Sequence, residues 1–98
     1  MKKISVVVPV YNERESLEEL YEGIVKGCEA AGSGFEAVFV DDGSDDGSFD
    51  ALNGIRARDD RVKIIRFKVN SGKAAALQAG FDTADGDYIV TMDADLQD

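Results

Sequence analysis

The side chains whose types and spacing suggest chemistry fall in four short stretches. The most telling ends the sequence, Asp87-Tyr-Ile-Val-Thr-Met-Asp-Ala-Asp-Leu-Gln-Asp98. An apolar run there breaks abruptly into acids, the pattern of a buried strand that delivers carboxylates to its end. If Asp93 to Asp95 is extended, side chains two apart share one side, separated by roughly 7 Å of backbone. They could then share one ion through a water or ligand oxygen, with Gln97 as a further oxygen donor. Hard oxygen donors of this kind suit Mg²⁺ or Mn²⁺. A solvated acidic loop is the plain alternative, and the other stretches must decide.

Pro9-Val10-Tyr11-Asn12-Glu13 follows the first apolar run. Its proline lacks an N–H and fixes its own backbone, so it can stop a strand and aim Tyr11 and Glu13. Tyr11 could stack on a base or sugar; a plain helix-entry loop, with Asn12 as cap, is the other reading. Asp41-Asp42-Gly43-Ser44-Asp45-Asp46-Gly47 is a turn unusually rich in acids. A carboxylate at a strand end can accept hydrogen bonds from a base edge or a ribose hydroxyl, while Asp46 or Ser48 caps the next helix. Asp42-X-Ser44-X-Asp46-Gly47 also matches the start of an EF-hand calcium loop, but the twelfth position is Asn53 rather than Glu and no helix leads in. Lys68 to Lys73 is a short polar turn opening a helix of small residues. Helix N-termini attract phosphate, although the P-loop pattern is absent and Lys73 could equally be a surface charge.

Composition narrows the chemistry. The 98 residues contain no histidine, which rules out Ser-His-Asp triads, Cys-His dyads and His-ligated zinc on this chain. A formal charge of −9 argues against nucleic acid as a partner, because phosphate backbones are bound by basic patches. An anionic ligand would need a cation's help. The lone Cys28 cannot close an internal disulfide and sits on an apolar helical stripe, so it reads as core. No segment approaches the roughly 20 apolar residues of a membrane span. The opening Met-Lys-Lys leads into an apolar run too short for a signal peptide, so a cytoplasmic location is expected.

The length suits one domain, residues 1–98, with a modest core. Four apolar, β-branched runs read as strands: Ile4 to Val10, Ala37 to Val40, Val62 to Phe67 and Tyr88 to Met92. Being continuous rather than alternating, they suit strands covered on both faces. Helices are expected at Ser16 to Ala31, with Leu17, Leu20, Tyr21, Ile24, Val25 and Cys28 on one stripe and a Ser16/Glu19 capping box. Others are expected at Ser48 to Arg58, with Phe49, Leu52 and Ile55 inward, and at Lys73 to Ala84, stopped by Gly86. Asn53-Gly54 inside the second helix could instead mark a turn. The third carries enough alanine and glycine to lie close on a sheet. Strand–helix alternation of this length implies an α/β fold with a parallel sheet and right-handed crossovers. In the order 3-2-1-4, the chain reverses direction between strands one and four, and ligands bind outside the carboxyl ends at such a switch point. The polar stretches pile up at those ends.

Pro9-Val10-Tyr11-Asn12-Glu13, Asp41-Asp42-Gly43-Ser44-X-Asp46-Gly47, Asn70-X-Gly72-Lys73-X-Ala75-Ala76-Leu77-X-X-Gly80 and Asp93-Ala94-Asp95-Leu96-Gln97-Asp98, in this order and over the whole chain, resemble glycosyltransferase family 2. Within it they are most similar to the dolichyl and polyprenyl phosphate sugar transferases. The resemblance implies a Rossmann-like GT-A fold that binds a nucleotide-diphosphate sugar, such as a UDP- or GDP-sugar, and transfers the sugar with inversion to a lipid phosphate. Carried over by position, Pro9, Tyr11, Glu13, Asp41, Asp42 and Lys73 would bind the nucleotide, and Asp93, Asp95 and Gln97 would surround Mg²⁺ or Mn²⁺ and the diphosphate. A pyrophosphate among so many acids meets strong repulsion unless a divalent ion bridges it.

The family continues past this metal motif, so the resemblance makes the chain a truncated, donor-binding half whose catalytic base is expected beyond Asp98. Membrane association is expected from the missing carboxyl-terminal part, with the full-length protein at the inner face of the membrane. Alone, the 98 residues are expected to be inactive and to self-associate through an uncovered patch of the fourth strand. Competing readings are a family 2 transferase acting on a polysaccharide or other glycan, a non-catalytic nucleotide- or metal-binding α/β module, and a calcium-loop protein. A phospho-acceptor receiver would gather its acids at strands one and three, not two and four.

Overall fold

The computed structural model describes residues 2–94. Its elements are β1 (Lys3–Val10), a 3₁₀ turn (Arg14–Ser16), α1 (Leu17–Ala30), β2 (Gly34–Asp41), α2 (Ser48–Arg58), β3 (Val62–Arg66), α3 (Lys73–Thr83) and β4 (Tyr88–Thr91). All strand pairs are parallel and the order is β3-β2-β1-β4, as expected from the alternation. Val7 sits at the middle of the sheet, level with Val38 on one side and Thr91 on the other.

The pleat sends alternate residues to opposite faces. Val6, Val8, Val10, Phe35, Ala37 and Phe39 pack with Leu17, Leu20, Ile24 and Cys28 of α1 and Leu52 and Ile55 of α2. Val7, Val38 and Val40 pack on the other face with Ala76 of α3. The small residues of α3 serve the close approach anticipated for them: a Cβ on Gly80 would run into Val7 Cγ1. That contact fixes the height of α3 above the sheet, and with it the position of the helix's first residue, Lys73.

Several local expectations are corrected. The Ser16/Glu19 capping box does not form: Ser16 has helical backbone angles and no side-chain cap bond. The chain entering α1 is instead held from across the molecule. Arg14 N–H donates to Asp46 Oδ2 (3.2 Å) and Glu13 N–H donates to Ser48 Oγ (3.2 Å). Asp46 also accepts from Ser48 N–H (2.9 Å), so one carboxylate serves two helix entries. β2 starts three residues earlier than its apolar run, because Glu36 is buried within it. α3 stops at Thr83 without Gly86; that glycine brings the next strand against β1, where a Cβ would lie 2.6 Å from Ser5 Oγ. Phe49 is half-buried under the Arg66 guanidinium rather than inward, and Asn53-Gly54 remains helical.

β4 is exposed along its whole length, with Tyr88 53%, Ile89 47% and Val90 45% accessible. It is an edge strand, paired only with β1 among the described residues, as the order 3-2-1-4 requires, and it shows the uncovered surface expected of the fourth strand.

Candidate functional site

Three strand ends and the turn before α3 meet in one cleft at the carboxyl edge of the sheet. A pocket of about 350 Å³ is lined by Pro9, Val10, Tyr11 and Glu13 after β1, Asp42 after β2, Asn70, Gly72 and Lys73 ahead of α3, and Asp93 and Ala94 after β4. Six residues singled out from sequence (Pro9, Tyr11, Glu13, Asp42, Lys73 and Asp93) therefore converge. Asp95 and Gln97 lie outside the described residues.

Asp41 is placed differently. It is fully buried beneath the turn, and its Oδ1 accepts from Ser44 N–H (3.0 Å), so it braces the acidic turn and does not line the pocket. The reason is the alternation of the strand: Asp41 points to the α1–α2 face with Phe39, and Asp42 to the α3 face. Asn12 is not a helix cap either. With φ of 53°, it takes Ser44 Oγ with its N–H (2.9 Å) and offers Oδ1 to Asp45 N–H (2.9 Å), tying the Tyr11 loop to the acidic turn.

Asp42 is nearly buried and faces the turn before α3. Its Oδ1 accepts from Ser71 N–H (2.6 Å), and its Oδ2 from Gly72 N–H (3.0 Å) and Asn70 Nδ2 (3.1 Å). Asn70 was not among the candidate residues, although the Asn70-X-Gly72-Lys73 spacing carried the signal. Across the pocket, Lys73 Nζ lies 2.8 Å from Asp93 Oδ1. The ion pair also borders a second cavity, of about 560 Å³, lined by Leu20, Leu77, Thr91 and Met92 as well as Pro9, Lys73 and Asp93. The polar chemistry belongs to the smaller space; the larger is mostly apolar.

The side chains present fit a divalent ion in kind. Asp93 offers hard oxygen at the mouth of the pocket and already holds a cation, the Lys73 ammonium, while Ala94 turns away into the core. Among the described residues, however, no three acids stand close enough to hold an ion by themselves. A complete ligand set needs donors beyond Asp93. In the turn ahead of α2, Asp46 has its pKa below the ordinary carboxylate value: burial pushes it up, but donation from Ser48 Oγ and the Arg14 and Ser48 N–H groups outweighs that.

In a parallel α/β sheet of this order, a ligand site is expected outside the carboxyl ends of the strands at the switch point, where these acids gather. The chain belongs to glycosyl transferase family 2, whose model matches residues 5–98. It is 45% identical to the undecaprenyl-phosphate 4-deoxy-4-formamido-L-arabinose transferase of Proteus mirabilis, over 99% of this chain and 30% of that protein. Identity to the enzyme of the same name from Salmonella paratyphi B is 44%, with the same coverage. The chain thus spans about 30% of the length of the curated relatives it matches. Among solved structures, it resembles a mannosyltransferase from Pyrobaculum calidifontis in complex with GDP-Man and Mn²⁺, with a TM-score of 0.82, 28% identity and coverage of 96% of this chain and 28% of that one. It also resembles S. aureus TarS in complex with UDP, with a TM-score of 0.79, 28% identity and coverage of 95% and 27%. The fold is that of GT-A glycosyltransferases.

Proposed function

We propose that this chain is the donor-binding part of an inverting glycosyltransferase that moves a sugar from a nucleotide-diphosphate sugar to a polyprenyl phosphate. The observation that carries the reading is the convergence of Tyr11, Glu13, Asp42, Lys73 and Asp93 on one pocket outside the carboxyl ends of the strands. Family membership, relatives named for an undecaprenyl-phosphate acceptor, and structural neighbours solved with GDP-Man and Mn²⁺ or with UDP support it.

In this reading Tyr11, half-exposed beside Pro9, offers a flat face to the nucleoside, and Glu13 accepts hydrogen bonds from its hydroxyls. Lys73 would face the diphosphate and Asp93 would hold the metal, with Asp95 and Gln97 as further ligands. A bound Mg²⁺ or Mn²⁺ would offset the diphosphate charge against these acids and stabilise the departing nucleotide diphosphate. Lys73, which pairs with Asp93 in the structure, would be the cation of the pocket available to the phosphates with Asp93 among the ligands of the metal. The catalytic base and the acceptor site belong to parts of the protein outside this chain, as does membrane attachment; no helix among the described residues is long and apolar enough to cross a membrane. The work is done at the cytoplasmic face, where nucleotide sugars are made.

Titration of UDP and GDP into the full-length protein with and without Mn²⁺, followed by a transfer assay on undecaprenyl phosphate in detergent, tests the proposal. Metal-dependent nucleotide binding and sugar transfer to the lipid are expected. Absence of nucleotide binding in the presence of Mn²⁺ would overturn it, and transfer to a glycan in place of the lipid would overturn the acceptor.

A further inference from the structure

We infer that Asn70 is a positioning residue for the nucleobase: its side-chain amide sets the Asp42 carboxylate so that Oδ1 meets the N–H on the pairing edge of a uracil or guanine. This rests on the nucleotide reading above, in which Glu13 takes the hydroxyls and the base edge is left to Asp42.

Asp42 directly follows β2, is 4% exposed, and lines the pocket beside Asn70 and Gly72. Its two oxygens are not equivalent. Among the described residues, Oδ2 accepts from both Gly72 N–H (3.0 Å) and Asn70 Nδ2 (3.1 Å), whereas Oδ1 accepts from Ser71 N–H (2.6 Å). A carboxylate offers about four lone-pair sites, two on each oxygen, so Oδ2 is filled and Oδ1 keeps one. The acceptor left for a ligand is therefore on Oδ1.

Asn70 contributes something that the two backbone donors do not. Its Nδ2 donates to the backbone O of Asp42 (3.1 Å) as well as to Oδ2 (3.1 Å), and the two hydrogens of an amide nitrogen allow both at once. A donor that bridges the main chain and the side chain of one residue fixes the rotation of that carboxylate against its own backbone. The N–H groups of Ser71 and Gly72 each meet a single oxygen. Gly43 permits the approach: its φ is +77°, and a Cβ there would lie 2.5 Å from Asn70 N.

The open site on Oδ1 selects a class of base. Uracil and guanine present a ring N–H in the middle of the pairing edge, and a carboxylate accepts it in a charge-assisted hydrogen bond. Cytosine and adenine present a ring nitrogen lone pair at the same point, which a carboxylate repels.

Methylating that ring nitrogen removes the bond and leaves the sugar and diphosphate unchanged. Competition titration with Mn²⁺ in the full-length protein compares UDP with N3-methyl-UDP, and GDP with N1-methyl-GDP. The proteins are wild type, Asn70→Ala, Asn70→Asp, Asp42→Ala and the double Asp42→Ala, Asn70→Ala variant. In wild type, methylation is expected to weaken the nucleotide by about 30-fold, the scale of a hydrogen bond to a charged group. Asn70→Ala should narrow that ratio to about threefold, because the parent nucleotide loses affinity while the methylated one, which never made the bond, does not. Asn70→Asp sets an acceptor against an acceptor, should narrow the ratio further, and carries the test if Asn70→Ala fails to fold. On the Asp42→Ala background the ratio should be the same with and without Asn70. A merely structural role would weaken parent and methylated nucleotides alike, so an unchanged ratio in both Asn70 variants would overturn the inference. So would a wild type that ignores methylation and discriminates against 2′-deoxy-UDP, which would put Asp42 on the ribose. Failure of the wild type to bind either UDP or GDP would overturn the nucleotide reading itself, and the inference with it.

Discussion

The two ends of the sheet both bury acids, and they treat them in opposite ways. At the amino end each acid is matched. Glu36 Oε1 lies 2.5 Å from Lys63 Nζ, while Oε2 accepts from Ser5 Oγ (2.5 Å) and Asp85 N–H (2.7 Å). Asp59 takes Arg61 through both oxygens (2.8 Å each) and the Tyr21 hydroxyl (2.6 Å). At the carboxyl end, Glu13, Asp42 and Asp93 line one pocket, and among the described residues Lys73 is the only basic one in its lining. Paired, satisfied acids at the closed end hold the α3–β4 connection and the start of β3. Excess negative charge at the open end is a standing demand for a cation, the electrostatic condition under which a metal-bridged diphosphate is accepted.

Substitutions can break this contrast, and the largest effect is expected at the open end. Asp93→Asn should reduce Mn²⁺-dependent nucleotide binding by about 100-fold, the upper range for disturbing a metal site, while the denaturation midpoint barely moves because the Lys73–Asp93 pair is largely exposed. Titration calorimetry beside urea unfolding measures both. Glu36→Gln should do the reverse. Nucleotide affinity should stay within about twofold, and stability should fall by about 2 kcal/mol, since a buried network loses an acceptor for the Lys63 ammonium. A Glu36→Gln variant that lost affinity and kept stability would dissolve the comparison.

The pH dependence sharpens it. Burial pushes the Glu36 pKa up, but hydrogen bonds from Lys63, Ser5 and the Asp85 N–H outweigh it, so the folded value lies below the unfolded one. Arg61 and the Tyr21 hydroxyl hold Asp59 far lower, against the opposing effect of burial. Acids with depressed folded pKa values contribute stability above their unfolded pKa, roughly 4, and lose it as pH falls through the folded value. Thermal stability should therefore be flat near neutrality and decline below about pH 4, and Glu36→Gln should show a shallower decline. The smallest effect concerns β4. The isolated 98-residue chain is expected to sediment as more than a monomer because Tyr88, Ile89 and Val90 are exposed on an edge strand; Val90→Lys should shift it toward monomer.

Much of the fold was legible because the strands are unbroken β-branched runs and the crossovers are too long for hairpins. Element order, the parallel sheet and the bounds of α2 followed from these. Less legible were features that depend on partners distant in sequence. Glu36 looked like the polar residue before a strand, yet Lys63 and Ser5 make it tolerable inside one. Ser16 and Glu19 looked like a capping box, but Asp46 and Ser48 from another loop hold that entry. Gly86 looked like a helix stop and is a point of strand contact.

At the site, residue type and spacing determined which strand ends would carry chemistry, because a strand's alternation and its end are local properties. Tyr11, Glu13, Asp42, Lys73 and Asp93 could be chosen on that basis. Only the tertiary structure decided what each oxygen is doing, since a hydrogen bond depends on where a distant backbone passes. It separated two adjacent aspartates that the sequence presents as equals: Asp41 braces its own turn from beneath, and Asp42 lines the pocket with its carboxylate held by residues 70–72.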